Sequence, residues 1–362
     1  MDGPFFSDLL RPELADLRAY DAAPIDVPVK LDANENAYTL SDAARADLAR
    51  ELALVDLNRY PDPRATRLRE LVATDMDTSP DRLIFGAGVD EVIAMIVTAF
   101  ARPRPGQARA RTLFPSPSFV MFRISSLARG VEPVTVPLDA RWDLAPEAAV
   151  LAVRETRPNV VFLPTPNNPT GNALRPETVR AVVEAATDAF VVIDEAYFDF
   201  HGVTYAELAK TRAHVGLLRT FSKVGLAGLR VGYLLADPAL VRELEKVRQP
   251  YNVPSLSLRA AELCMTRYRE ELLLQAKKIV ESRDVLSRDL ASLPGLEVFP
   301  SDANFVLVRT ARATEVWKGL VDRGVLVRNF DGPSGPLSGC LRITVGRPQE
   351  NDRLLSALRT LM

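Results

Sequence analysis

The chain has 362 residues, with 45 Lys+Arg against 47 Asp+Glu and a formal net charge of −2, a balance that offers no electrostatic footprint for nucleic acid or an anionic membrane. Hydrophobic residues make up 47% and charged residues 25%, a globular mix that excludes wholesale disorder and, at this length, predicts two or three domains. Cys264 and Cys340 are too few for a disulfide framework, and His201 and His214 are the only histidines, so no metal site is expected. The amino terminus carries acids and prolines where a signal peptide would be basic and then apolar. The longest apolar run, 92–100, falls well short of the roughly 20 residues of a membrane helix, so the expected location is the cytoplasm.

In chain order, the first predicted strand is 83–85, running into Gly86-Ala87-Gly88-Val89 and a helix over 90–101. Short apolar runs at 111–114, 131–136 and 160–163 read as buried strands, and 175–186, opened by Pro176 and Glu177, as a helix. Further strands follow at 190–193, 215–219 and 230–235. Strand and helix alternating in this way predict an α/β fold with a mostly parallel sheet flanked by helices. After Pro238 the pattern changes to long helical stretches at 239–248 and 256–293. Strands at 296–299, 303–308 and 341–344 and helices at 313–323 and 349–361 then suggest a smaller α+β unit. The expected division is an N-terminal arm or part of the small domain over 1–30, a large α/β domain over 31–240 and a small α+β domain over 241–362.

Three strand ends carry candidate chemistry. The stretch 218–230 leaves a strand through a hydroxyl-rich turn with Ser222 and Lys223, and Arg230 follows seven residues later. An amine nucleophile must be unprotonated, and burial beside another cation lowers a lysine's pKa. Lysine occurs only at 30, 210, 223, 246, 277, 278 and 318, which makes Lys223 conspicuous, although alone it is equally an ordinary surface lysine after a strand. The run 160–171 carries Asn168 into a Pro/Asn/Gly loop at a strand's carboxyl end, where ligands bind in open α/β sheets; an ordinary turn is the alternative. The run 190–197 ends in Asp194, Glu195 and Tyr197, where a buried carboxylate would need a proton-donating partner and an exposed one would be a solvated turn.

Gly88, Val89 and Asp90 join a strand to a helix, so backbone amides there can face an anion. The glycines form half of a dinucleotide-binding pattern, but Glu91 stands where its third glycine should be, and a dehydrogenase reading fails. A serine hydrolase would need a histidine partner and a nucleophile elbow that the chain does not offer.

Asn168, Asp194, Lys223 and Arg230, at successive spacings of 26, 29 and 7, with Tyr197 three residues after Asp194, resemble the fold-type I aminotransferases that use pyridoxal phosphate. The resemblance implies Lys223 as the lysine that carries the cofactor and moves the substrate proton. It implies Asp194 at the ring nitrogen, Asn168 and Tyr197 at the ring oxygen, and Phe119 on the ring face. Gly88, Val89, Asp90, Ser222 and Arg230 would form the phosphate cup. Tyr60 matches a family tyrosine that reaches the phosphate from the other subunit, which implies a homodimer.

More narrowly, Leu31-Asp32-Ala33-Asn34-Glu35-Asn36, the run 59–62, the run 194–200 and the run 338–346 around Arg342 resemble the histidinol-phosphate aminotransferase family. That resemblance implies exchange of an amino group between histidinol phosphate and 2-oxoglutarate. It implies Arg342 and Arg328 as anion ligands, with Asn36, Tyr20, Tyr251 and Asn252 as further substrate-binding residues. Ala37 departs from the family's usual Pro, and the turn after Lys223 is a residue shorter than the family pattern. Aromatic transamination and, less favoured by the 338–346 ending, threonine-phosphate decarboxylation are the alternatives the same resemblance leaves.

Overall fold

The computed structural model describes residues 9–12, 14 and 25–362. The first part of the described chain runs β1 (Val29–Leu31), α1 (Asp42–Leu52), α2 (Thr66–Asp75), β2 (Leu83–Ala87), α3 (Val89–Ala99), β3 (Arg111–Ser116), α4 (Val120–Leu127), β4 (Glu132–Pro137) and α5 (Pro146–Thr156). It continues through β5 (Val160–Pro164), α6 (Pro176–Ala185), β6 (Phe190–Asp194), α7 (Phe198–His201), α8 (Ala206–Thr211), β7 (Val215–Thr220) and β8 (Val231–Leu235). The remainder is α9 (Pro238–Glu245), α10 (Ser255–Thr266), α11 (Arg269–Ala291), β9 (Glu297–Val298), β10 (Phe305–Arg309), α12 (Ala313–Asp322), β11 (Val325–Asn329), β12 (Cys340–Thr344) and α13 (Pro348–Leu361).

A seven-stranded sheet is ordered β2-β8-β7-β6-β5-β3-β4, parallel except that β8 runs antiparallel to both its neighbours. Its central strands are apolar on both faces, as a sheet sandwiched between helix layers requires. Alternate residues build two cores: Val161, Leu163, Val191, Ile193 and Leu217 face one way, and Val160, Phe162, Val192 and Leu218 the other. On the second face Phe122 stacks on Phe162 at 4.6 Å, under α3, which buries Val92, Ile93 and Ile96. The expected α/β class and mostly parallel sheet are present.

A second, five-stranded sheet is ordered β1-β11-β12-β10-β9, and α11, α12 and α13 bury apolar side chains in its core. Only its β1–β11 pair is parallel. The strand β1, at the expected boundary near residue 31, joins this sheet through its pairing with β11. One expectation changes here. The expected single helix over 256–293 is two, α10 and α11, parted at Arg267 and Tyr268. That stretch holds no Gly or Pro; the break is tertiary, since Arg267 pairs with Asp47 and Glu51 of α1 and the Tyr268 hydroxyl donates to Asp47. No helix among the described residues is long and apolar enough to cross a membrane.

Candidate active site

The carboxyl ends of β5, β6 and β7 open on one crevice, and the loops that leave them deliver the polar residues. A cavity of about 210 Å³ is lined there by Asn168, Asp194, Tyr197, Ser222, Lys223, Arg230, Val89, Asp90 and Phe119. Each was expected from the sequence. Asn34, Thr220 and Arg342 also line it, Arg342 and Asn34 coming from the second sheet's side.

The glycine-rich turn after β2 explains the cavity's anion-facing wall. Gly88 sits at φ +85°, where a Cβ would lie 2.6 Å from an Arg230 guanidinium nitrogen. Gly232 on β8 lets that strand pass so close that a Cβ would lie 2.6 Å from the Val89 nitrogen. The first N–H groups of α3 have no partner within the helix and carry its positive dipole end. Arg230, itself at φ 51°, pairs with the Asp90 carboxylate at 2.9 Å, which uses one of its five donors. The other Asp90 oxygen is buried with no partner among the described residues. Thr220 accepts from the Ser222 N–H at 3.1 Å and donates to the Ser222 hydroxyl at 3.0 Å, fixing that side chain over the same wall.

The opposite wall is acidic and aromatic. Asp194 ends β6 with one carboxylate oxygen accepting from the Ala196 N–H at 3.0 Å. Burial pushes its acid up to about 7, against that hydrogen bond; Asp90 and Glu195 push the same way and Lys223 the other. Glu195 beside it turns away, fully buried, to accept two bonds from Arg219 at 2.7 and 3.0 Å. Lys223 is half-buried, and desolvation, then the nearby Arg342, lower its ammonium to about 8, with Glu35 and Asp90 opposing and Arg230 adding. Tyr197 is buried, which raises its phenol, and Asn34 donates to its oxygen at 2.9 Å. Phe119 caps the start of α4, edge-on to Phe122.

Two neighbouring asparagines divide the work of the β5 loop. Asn167 is wholly buried and holds the loop through Pro117, Ser118 and Thr170, leaving Asn168 to face the cavity. Arg342 reaches across from β12 to donate to Asn168 at 2.6 Å. Arg328 on β11 is paired in register with Arg342, and both guanidiniums lie within 6 Å of the Phe330 ring centroid, at 5.9 and 5.6 Å.

Other expected residues lie elsewhere. Asn36 does not line the cavity; it donates to the Val224 carbonyl at 2.9 Å and so ties down the turn after Lys223. Asn252 is spent on the Phe85 carbonyl, Glu91 and Arg248 beneath the β2–α3 turn and is not brought to the cavity. Tyr60 is 81% exposed and stacks on Tyr251 with ring centroids 4.6 Å apart, outside the cavity of its own chain. Tyr20 lies outside the described residues. Asn34 was missed because its partners Tyr197, Thr344 and Asn304 are at least 163 residues away in sequence.

These donors fit pyridoxal phosphate. Helix-end amides, a serine hydroxyl and an arginine suit a phosphate, and a buried acid with no ion pair among the described residues suits a ring N–H⁺. A depressed lysine suits an aldehyde, and an aromatic side chain suits the ring face.

A family model for aminotransferase class I and II matches residues 26–358. The chain is 41% identical to a histidinol-phosphate aminotransferase of Methylibium petroleiphilum, covering 99% of this chain and 96% of that one. It is also 41% identical to histidinol-phosphate aminotransferase 2 of Nitrosococcus oceani, covering 97% and 96%. The crystal structure of histidinol-phosphate aminotransferase from Sinorhizobium meliloti in complex with pyridoxal-5'-phosphate superposes with a TM-score of 0.85 at 25% identity, covering 97% of each chain. A cavity built for a phosphate, a ring and an amine, in a chain this similar throughout its length, leaves one conclusion: the chain belongs to the pyridoxal phosphate-dependent aminotransferases of class I and II, in the histidinol-phosphate aminotransferase family.

Proposed function

We propose that the chain transfers the amino group of histidinol phosphate to 2-oxoglutarate, giving imidazole-acetol phosphate and glutamate in L-histidine biosynthesis, as a cytoplasmic homodimer. The observation that carries this reading is Arg342, which lines the cavity that holds Lys223, with Arg328 opposite it in register on β11. One pocket must take a phosphate in one half-reaction and carboxylates in the other, and a guanidinium forks onto either anion.

Pyridoxal phosphate, when bound, supplies an aldehyde that takes up the amino group and a ring that accepts the electrons released at Cα. Lys223, lowered to about 8, offers a fraction of neutral amine near neutral pH to attack, and its Nζ then moves the proton from substrate Cα. Asp194 holds the proton on the ring nitrogen; the cation it gains there draws its own acid back down and keeps it ionised. Asn168 and Tyr197 bond the ring oxygen, and Phe119 excludes water from the ring face. Gly88, Val89, Asp90, Ser222 and Arg230 hold the phosphate.

Tyr60 completes that cup from the partner subunit. Leu54, Leu57 and Tyr60, all strongly exposed on one loop, are apolar surface that a second copy would cover. The two sheets belong to a large domain and a smaller one that share the cavity.

The test is kcat/KM for histidinol phosphate against phenylalanine, each with 2-oxoglutarate. A preference of about a hundredfold or more for histidinol phosphate is expected from the lost phosphate–guanidinium contacts alone. Equal or reversed preference would move the reading to aromatic transamination by the same residues.

A further inference from the structure

Tyr197 is a group with two hydrogen-bonding functions, and the protein uses one of them. Its oxygen accepts from the Asn34 side-chain amide at 2.9 Å, while among the described residues no acceptor takes its hydrogen. The direction of the Asn34 amide is fixed by its surroundings. Thr344 Oγ1 accepts the Asn34 backbone N–H at 2.9 Å, so its own hydrogen is available to the Asn34 carbonyl oxygen Oδ1 at 3.3 Å. That leaves Nδ2, which can only donate, facing the phenol. The Asn34 backbone carbonyl is held in turn by the Asn304 amide at 3.0 Å. Asn34 is 1% exposed and sits at φ 54°, a conformation asparagine tolerates better than other side-chain-bearing residues.

We propose that Asn34 is a positioning residue for transamination: by donating to the Tyr197 oxygen it turns the phenol hydrogen into the cavity, toward the oxygen of the cofactor ring. A phenol that accepts from a fixed donor must point its own hydrogen elsewhere, and the cavity lined by both residues is the remaining direction. The arrangement also couples the phenol to the second sheet. Asn34 hangs from Thr344 on β12, and two residues away on the same strand Arg342 donates to the Asp32 carbonyl at 2.5 Å. The segment that aims Tyr197 is thus bonded to the arginine assigned to the substrate anion. This inference rests on the assignment of Tyr197 to the cofactor.

The readout is the pH midpoint of the visible cofactor band in resting, pyridoxal phosphate-loaded enzyme, for wild type, Asn34→Gly, Tyr197→Phe and the double variant. A hydrogen bond donated to the ring oxygen favours the deprotonated form and lowers this midpoint. Asn34→Gly keeps the backbone bonds and permits the positive φ. It is expected to raise the midpoint by about half to one pH unit, a three- to tenfold change in proton affinity. The double variant is expected to match Tyr197→Phe alone. An unchanged midpoint in Asn34→Gly while Tyr197→Phe raises it would overturn the role of Asn34 and leave the proposed function standing. A shift that persists undiminished in the Tyr197→Phe background would overturn it as well, by showing an effect that bypasses the phenol. If neither variant moves the midpoint, both this role and the assignment of Tyr197 fall. Should Asn34→Gly not fold, Asn34→Asp keeps the shape and can only accept; it is expected to raise the midpoint, and no change would overturn the proposal.

Discussion

Asp194 closes β6 with its carboxyl buried at the cavity wall, and burial is the largest reason its acid rises to about 7. In the cofactor-free protein the folded state therefore binds a proton between pH 4 and 7 that the unfolded chain has released. Stability from this group is fully present below about pH 4 and is lost as pH rises through 7. The difference in unfolding free energy between wild type and Asp194→Asn, measured by urea titration, is expected to fall by a few kcal/mol over that window. A flat difference would show that Asp194 is not held in an apolar wall. At this scale Asp194, Tyr197, Lys223, Asn168 and Arg230 were legible, because each follows a strand or a turn that the sequence punctuates clearly. Asn36 was expected at the substrate, and Asn34 was given no role. Both belong to one Asn-Glu-Asn run, yet the αL turn at Asn34 sends it to Tyr197 while Asn36 goes to the Val224 carbonyl. Only contacts with β12 and the turn after Lys223 decide between them.

Among elements, the junction of β8 with the start of α3 shapes the phosphate wall. Gly232 faces the Val89 amide so closely that Gly232→Ala must push the helix end away. The dissociation constant for pyridoxal phosphate is expected to rise about tenfold, the equivalent of one lost hydrogen bond, in equilibrium titration. Gly228→Ala, whose added Cβ meets nothing within 4 Å, is expected to leave it unchanged. Equal effects of the two variants would count against this wall. Strands of the first sheet were readable from apolar runs bounded by Gly, Pro and Asn. The break between α10 and α11 was not, because its cause is the carboxylates of α1, more than 200 residues earlier. The pairing of β1 with β11 was equally hidden: three residues carry too little pattern to choose a sheet.

At the scale of the molecule, the cavity belongs to neither sheet alone. Arg342 spans from β12 to Asn168, Asn34 from β12 to Tyr197, and Asp302 binds the backbone of the Asn168 loop at Gly171 and Ala173. On the proposed dimer the cavity also requires Tyr60 of the second copy. Tyr60→Ala and Lys223→Ala proteins, each inactive, are expected to recover about a quarter of wild-type activity when unfolded and refolded together, since half of randomly paired dimers carry one intact site in two. No recovery, or a monomer in sedimentation, would remove Tyr60 from the site.

The most direct measurement of the central claim is the absorbance spectrum of pyridoxal phosphate-loaded protein, wild type against Lys223→Ala, before and after histidinol phosphate is added. The account predicts a visible band in wild type that histidinol phosphate bleaches, and a folded Lys223→Ala protein in which neither the lysine-dependent band nor turnover is found. A Lys223→Ala protein that keeps the wild-type band and turns over would contradict it.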